Sequence, residues 1–508
     1  MRLRFDPPPG LVSDDTTFAA SGLWEDGSNV RFWRGRPQTI GGWVALTGEA
    51  AEGRCRAAWP WTDTSGDLNI GFGTHSHLMV YAGGALFDIT PAGLVAGGID
   101  GVGGPGYGAG AWDIGDYSAA HPDYFPRTWS LDNFGEALVA SPRDGTIYLW
   151  SNDTGTPAAA LANAPARVNA MLVTPERQLL ALGCNEEASG DFNPLCIRGS
   201  DIEDPQAWTS APDNNAFEHV LKGGGRIVTA RMFGPFVAVW TDNGVHLGQF
   251  VGDPGQAYRF DRVGENCGAI GPNAVTILDQ AAYWIGPDRQ FRRWMLGGAP
   301  ELLACPIRND FKDHLAEAQG DKIVAATLSQ YGEIWFFYPD ARDGAENSRY
   351  LAFAAAESAR AGLSVWFRGE LARTAFCDAG VAGYPLGVAP DGQVHFHEAG
   401  ANANGGNLEW HVRSADFALD EAQRSVMLRG LWPDFETQAG AVSLNLYMRA
   451  FPQAEAVEKG PFALGEDQEK MDFRVSGRVA ALKWSGASNP AFMRAGRSSF
   501  DVAVAGER

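Results

Sequence analysis

The chain is short of positive charge. Of its 508 residues, 40 are Lys or Arg and 61 are Asp or Glu, a formal net charge of -21. That balance argues against a protein that grips nucleic acid through its phosphates, which takes clustered cations. It is compatible with one that lets DNA slide past, and equally with plain solubility. Long apolar runs are missing too: nowhere do 18 apolar residues follow one another, so no membrane insertion is expected. The opening MRLRFDPPPG holds no apolar run, and no signal peptide is expected. Cysteine is sparse and scattered, at Cys55, Cys184, Cys196, Cys267, Cys305 and Cys377. No pair has zinc-ribbon or redox spacing, and several sit among apolar neighbours, which reads as free thiols of a protein made in a cytoplasm. Helical patterning is nearly absent. Its one candidate is Arg308 to Ala318, with Asn309 or Asp310 as cap and Phe311 and Leu315 on one face.

Catalytic and ligand signatures are missing as well. The Gly-rich run from Gly101 to Trp112 lacks the Lys-Ser/Thr of a phosphate loop, and no strand–helix pair flanks it. His395 and His397 share one face of a strand, but no third metal ligand accompanies them, so a structural role is expected. The stretch from Glu186 to Glu218 holds eight carboxylates and one basic residue, Arg198, without calcium-loop spacing; a solvated loop is expected. Ser141-Pro142-Arg143-Asp144-Gly145 approaches the sialidase turn with its Asp one place late, and the turn does not recur. No Gly-x-Ser-x-Gly elbow occurs. No catalytic residue, metal or cofactor is expected.

What the chain does have is turns between aromatic strands: 63 Gly, 29 Pro, 28 Phe and 17 Trp. The organising stretch is Arg127 to Trp150, RTWSLDNFGEALVASPRDGTIYLW. Two alternating strands flank Arg143-Asp144-Gly145, where Asp-Gly supplies the positive φ of a tight hairpin. Similar hairpins turn at Gly83, Gly244, Asp288, Asp340 and Asp391. With Gly145 included, the spacings are 62, 99, 44, 52 and 51 residues, the long gap hiding a unit around Asp201 to Trp208. Repeated antiparallel units of this size are the mark of propeller blades, which bury their faces only by stacking. The expectation is an all-β chain: a six- or seven-bladed β-propeller over residues 1–404, its N-terminal hairpin closing the ring. A small β-sandwich-like domain over 405–508 follows the polar linker ANANGGN. Five strands are expected there, from alternation such as Val442, Leu444, Leu446 and Met448. Trp129, Trp150, Trp240, Trp294 and Trp335 recur on blade strands and are expected between blades. Arg31, Arg34 and Arg36 project from the hairpin NVRFWRGRPQTIGGW and are candidates for a subunit contact.

In chain order, GSNVRFWRGRPQTIGGW, the loop around Tyr107, RTWSLDNFGEALVASPRDGTIYLW, IRGSDIEDPQAW, GEIWFFYP and RTAFCDAGVAGYPLG ending in HEAG resemble the β-propeller tail proteins of tailed bacteriophages. That family is described as tail nozzles or packaged-DNA stabilisation proteins. The resemblance runs from about Gly22 to Gly400 and more weakly to the end. It implies a virion structural protein of the tail, made in the host cytoplasm and assembled as a homo-oligomeric ring, typically of six copies. Adaptor and portal-side tail proteins and a tail fibre or needle would be its partners, and packaged DNA would pass through the lumen without specific binding. The family's role has no catalytic residues to carry over. The alternative is a propeller in a tail tip that binds or cleaves host-surface glycan.

Overall fold

A computed structural model of the chain describes residues 2–102, 125–419, 424–466 and 468–504. Seven four-stranded antiparallel sheets follow one another between Trp43 and His397. Their first strands are Cys55–Thr62, Trp129–Phe134, Val168–Val173, Ile227–Phe233, Val275–Leu278, Val324–Leu328 and Ala375–Cys377. Each of these touches the next, and the last touches the first. The chain therefore forms a β-propeller. Six of the sheets are continuous in sequence. The seventh takes its outer strand from far upstream: Trp43–Ala45 pairs with Val394–His397 in the register Trp43↔His397. The strand that closes the ring is thus Trp43–Ala45, and not the expected hairpin before it.

That hairpin, Val30–Trp33 and Arg36–Thr39, belongs elsewhere. It pairs with Phe492–Ala495, which pairs in turn with Phe435–Ala439. Arg2–Phe5 joins a sheet with Ser498–Val504, Val426–Trp432 and Met471–Gly477. Trp24–Ser28 edges a larger sheet built on Leu408–Ser414, Val479–Ser488, Val442–Arg449 and Val457–Leu464. The C-terminal module is a β-sandwich, as expected, but residues 2–39 supply four of its strands, so the propeller does not begin at the N-terminus. It also has ten strands of its own after residue 404 among the described residues, where five were expected. Alternation marks a segment as a strand; it carries no address for the partner strand.

Local chemistry explains the turns. Gly83 and Gly84 both have positive φ, +56° and +92°, as a two-residue hairpin of this hand requires. In the organising hairpin Leu138 faces Trp150 and Ala140 faces Tyr148, and it is Asp144, at φ +61°, that takes the left-handed position rather than Gly145. Asp201 to Trp208 proves to be a connection inside the third sheet, between Phe192–Gly199 and Phe217–Val220. The expected helix forms over Arg308–His314, with Phe311 and Leu315 buried. Its cap differs from expectation: Ile307 holds the cap position. The amides of Arg308 and Asn309 donate to the Asp14 carboxylate at 3.1 and 3.2 Å, a cap supplied from the N-terminal segment. A second helix, Ala355–Ala361, was not anticipated. No helix among the described residues is long and apolar enough to cross a membrane.

The five tryptophans expected between blades are all buried. Trp150 of the second sheet meets Trp61 of the first edge-to-face at 6.3 Å. The indole of Trp129 donates to the Thr74 carbonyl of the first sheet at 2.7 Å, and Gly73 leaves room for that ring, since a Cβ there would lie 2.3 Å from it. Trp240 of the fourth sheet meets Trp284 and Trp294 of the fifth at 5.7 and 6.3 Å. Trp335 of the sixth stacks on Tyr350 at 4.2 Å and lies parallel to Phe376 of the seventh at 6.4 Å. Trp61 and Trp284 do the same work from positions the hairpin pattern did not single out. Trp150→Ala is expected to destabilise the protein by about 3–5 kcal/mol, because it opens a cavity at the joint of two sheets. Denaturant unfolding of the two proteins measures it; an unchanged midpoint would be inconsistent with this packing.

Candidate functional site

Two places concentrate polar side chains inside the molecule. The first is the propeller axis, where residues from all seven first strands line one cavity of about 460 Å³. Seven strands converging on an axis leave little width, and the wall is accordingly rich in small residues: Ala57, Ala58, Ala230, Ala325, Ala326 and Ala375. Four charged side chains interrupt it: Arg56, Asp132, Arg231 and Asp378. Arg56 is neutralised by a bidentate pair with Glu346, at 2.6 and 2.8 Å. Among the described residues Arg231 has neutral acceptors alone, Thr229 Oγ1 at 2.7 Å and the carbonyls of Ala230 and Pro272 at 2.9 and 3.0 Å. Burial lowers its pKa to about 10, against the opposing field of Asp132. Asp378 accepts from the Thr327 hydroxyl at 3.0 Å and the Ser329 amide. Asp132 accepts from the amides of Val173 and Asn133, at 2.8 Å each. Burial nevertheless pushes its carboxyl up to about 6, because two amide bonds only partly replace the water it loses.

Where the first strands begin, polar contacts cross the axis. Arg143 of the second sheet pairs at 3.2 Å with Asp321, which precedes the sixth. Gly101 and Gln319 exchange two hydrogen bonds, at 2.9 and 2.7 Å, and Arg56 donates to the Ile99 carbonyl at 3.0 Å. Most of the Gly-rich run, with Tyr107, lies outside the described residues.

The second place is Arg31. Of the three arginines expected to project toward a neighbouring subunit, it is fully buried. Its guanidinium makes a bidentate pair with Glu398, at 2.8 and 2.7 Å, reaches Glu333 at 3.0 Å, and lies 3.7 Å above the Tyr331 ring. Glu333 stands on the second strand of the sixth sheet, and Glu398 follows the third strand of the seventh. Burial pushes the Glu333 carboxyl up to about 7, although Arg31 opposes it. Arg36 is half-buried and pairs with Asp6; Arg34 is exposed, 5.7 Å from the Trp33 ring. Only Arg34 keeps the character expected of the three. A three-residue count of basic side chains does not reveal which face of a hairpin is covered, and that decided Arg31.

His395 and His397 are both buried in the seventh sheet. His397 accepts from Arg373 at 2.8 Å and stacks on Trp43 of the closing strand at 5.7 Å. Burial, and then Arg373, pushes His395 down to about 4 and His397 well below its usual value, so both rings are neutral. Among the described residues no group of three metal-ligating side chains forms.

No family model and no curated protein matches the chain. Solved structures that resemble it include the computationally designed Ika8 protein, at 13% identity over 77% of this chain and 99% of that one, with a TM-score of 0.39. Another is the Cps50 (Swd1) β-propeller domain of Myceliophteria thermophila, at 10% identity over 72% and 100%, TM-score 0.40. A third is BamB from Moraxella catarrhalis, at 13% over 71% and 97%, TM-score 0.32.

Two outcomes follow from these sites. Arg31→Met leaves Glu333 and Glu398 buried without a counter-charge, and a loss of about 3–5 kcal/mol is expected. Arg31→Lys should recover little of it, because an ammonium cannot bridge two carboxylates as the guanidinium fork does; equilibrium unfolding of both variants is the measurement. For Asp132 the folded pKa, about 6, exceeds the ordinary 3.8. The folded state therefore takes up the proton first; the stability this contributes is complete below pH 4 and is lost as pH rises through 6. Asp132→Asn should remove that part of the pH dependence. Parallel melting-temperature profiles of the two proteins between pH 4 and 7 would contradict the assignment.

Proposed function

We propose that the chain is a structural subunit of a bacteriophage tail, a ring-forming nozzle that retains the packaged genome and provides its exit path. The observation that carries this reading is the ordered set of motifs that resembles the tail-nozzle family. The motifs occupy the places on which this fold turns. GSNVRFWRGRPQTIGGW supplies Arg31 and Trp43, the first residue of the closing strand, while RTAFCDAGVAGYPLG and HEAG fall within and just after the seventh sheet, and HEAG contains Glu398, the partner of Arg31. The first and last motifs thus form one physical joint.

Charge supports the same reading. Residues 1–42 and 405–508 hold 17 Lys or Arg and 19 Asp or Glu, so the propeller, residues 43–404, keeps 23 and 42 and a net charge of -19. Such a surface repels a duplex and lets it move. The axial cavity, at about 460 Å³, has the volume of a small-molecule pocket. The DNA path in this reading therefore runs between subunits around the ring axis, and not through a propeller. Adaptor and portal-side proteins would hold the ring from above and a fibre or needle from below. Particles assembled without this chain are expected to package DNA and then lose it, measured as encapsidated genome over time. Particles that lack it yet keep their DNA and infect would refute the reading.

A further inference from the structure

The module docked on the sixth and seventh sheets turns a cationic sheet face outward. Along Arg2–Phe5, Ser498–Val504, Val426–Trp432 and Met471–Gly477, alternate residues such as Phe5, Leu428, Phe473 and Phe500 enter the sandwich. Their neighbours Arg2, Arg4, Arg429 and Arg474 are exposed on the other side, with Lys470 beside them. The carboxylates there are engaged within the sheet: Asp501 by Arg429 at 2.9 Å, Asp472 by Lys470 at 2.6 Å. The Arg2 guanidinium lies 4.6 Å and the Lys470 ammonium 5.7 Å from the Trp432 ring. Arg4 and Arg474, on the two edge strands, make no ion pair among the described residues. In a chain of net charge -21, this face carries surplus positive charge around an aromatic ring.

An acidic counterpart sits across the ring from the sheets that carry the module. Counted around the ring, the third sheet is three places from the sixth in one direction and three from the seventh in the other. The connections between its second, third and fourth strands carry Glu186, Glu187, Asp191, Asp204 and Asp213. The basic residue of that stretch, Arg198, is buried and donates to the Trp208 carbonyl at 2.8 Å, so it does not neutralise them.

We propose that the cationic face of one subunit docks on the acidic edge of the third sheet of a second copy. Opposite charge draws the two surfaces together, and Trp432 gives the contact an aromatic centre. Since the two patches are different surfaces of one molecule, the contact is head-to-tail, the kind that closes into a ring when the rotation per subunit allows. The proposal rests on the ring reading above and names the surface that makes the ring. A DNA duplex offers the same sign of charge, but the propeller's own surplus of carboxylates opposes its approach, whereas the acidic edge belongs to the chain itself.

Sedimentation of the full-length chain tests it. The wild-type protein should be an oligomer at low salt and dissociate as salt rises, since exposed charge pairs are screened. Arg4→Glu/Arg474→Glu and Asp191→Arg/Asp213→Arg should each be monomeric at low salt, and at high salt, where the wild type is dissociated too, should melt as it does. Arg4→Lys/Arg474→Lys should assemble normally. Mixed in equal amounts, the two reversed variants should reassemble, each reversed face now fitting the other. Reversed variants that assemble as the wild type does, or that stay apart when mixed, would overturn the surface and leave the ring reading standing. A wild-type chain that is monomeric at every salt and concentration would overturn the proposal, leaving genome retention to judge the nozzle reading. A labelled duplex bound by the wild type and released by Arg4→Glu/Arg474→Glu would assign the face to nucleic acid instead.

Discussion

Arg31 is the constraint on which the arrangement of the chain depends. A buried guanidinium costs stability unless acceptors replace its water, and here Arg31 is answered by two carboxylates and an aromatic face drawn from two different sheets of the propeller. Satisfying it requires the N-terminal hairpin, the sixth sheet and the turn after the seventh to be in place together. The same hairpin is a strand pair of the C-terminal module. One side chain therefore ties the first motif of the chain to its last and the module to the propeller. Around it the packing is continuous: a single apolar cluster takes in Phe5 and Trp24, Trp335 and Trp366, and Trp484 and Phe500.

The propeller meets a different constraint at its axis. Seven strands converge there, and alanines keep the wall thin. The joints between the sheets carry the bulk, with tryptophans set edge-to-face across them. Closing the seventh sheet with Trp43–Ala45 joins a strand from one end of the propeller to the other, so the ring cannot open without breaking main-chain pairing. Buried polar groups mark the same joints: neutral His397 beneath Trp43, Arg373 against it, and the cross-axis pair of Arg143 and Asp321.

Charge is divided between the two parts. The propeller carries almost all of the negative surplus, and the module is close to neutral. In the proposed ring, each copy would offer the cationic face of its module to one neighbour and the acidic loops of its third sheet to the other.

Much of this was legible in the amino acids themselves. Turn residues with the right φ, alternating strands and recurring tryptophans are local chemistry, and they determined an all-β chain of repeated hairpins, the helix at Arg308 and the positions of five buried indoles. Pairing is not local. That Trp43–Ala45 closes the ring, that residues 2–39 enter the C-terminal sandwich, and that Asp14 caps a helix some 300 residues away depend on which edges remain unpaired once the sheets have stacked. Arg31 shows the difference most clearly: its sequence neighbours make it one of three basic residues on a hairpin, and only the approach of Glu333 and Glu398 decides that it is buried. A side chain's charge is written in the sequence; whether water or a carboxylate answers it is settled by the tertiary structure.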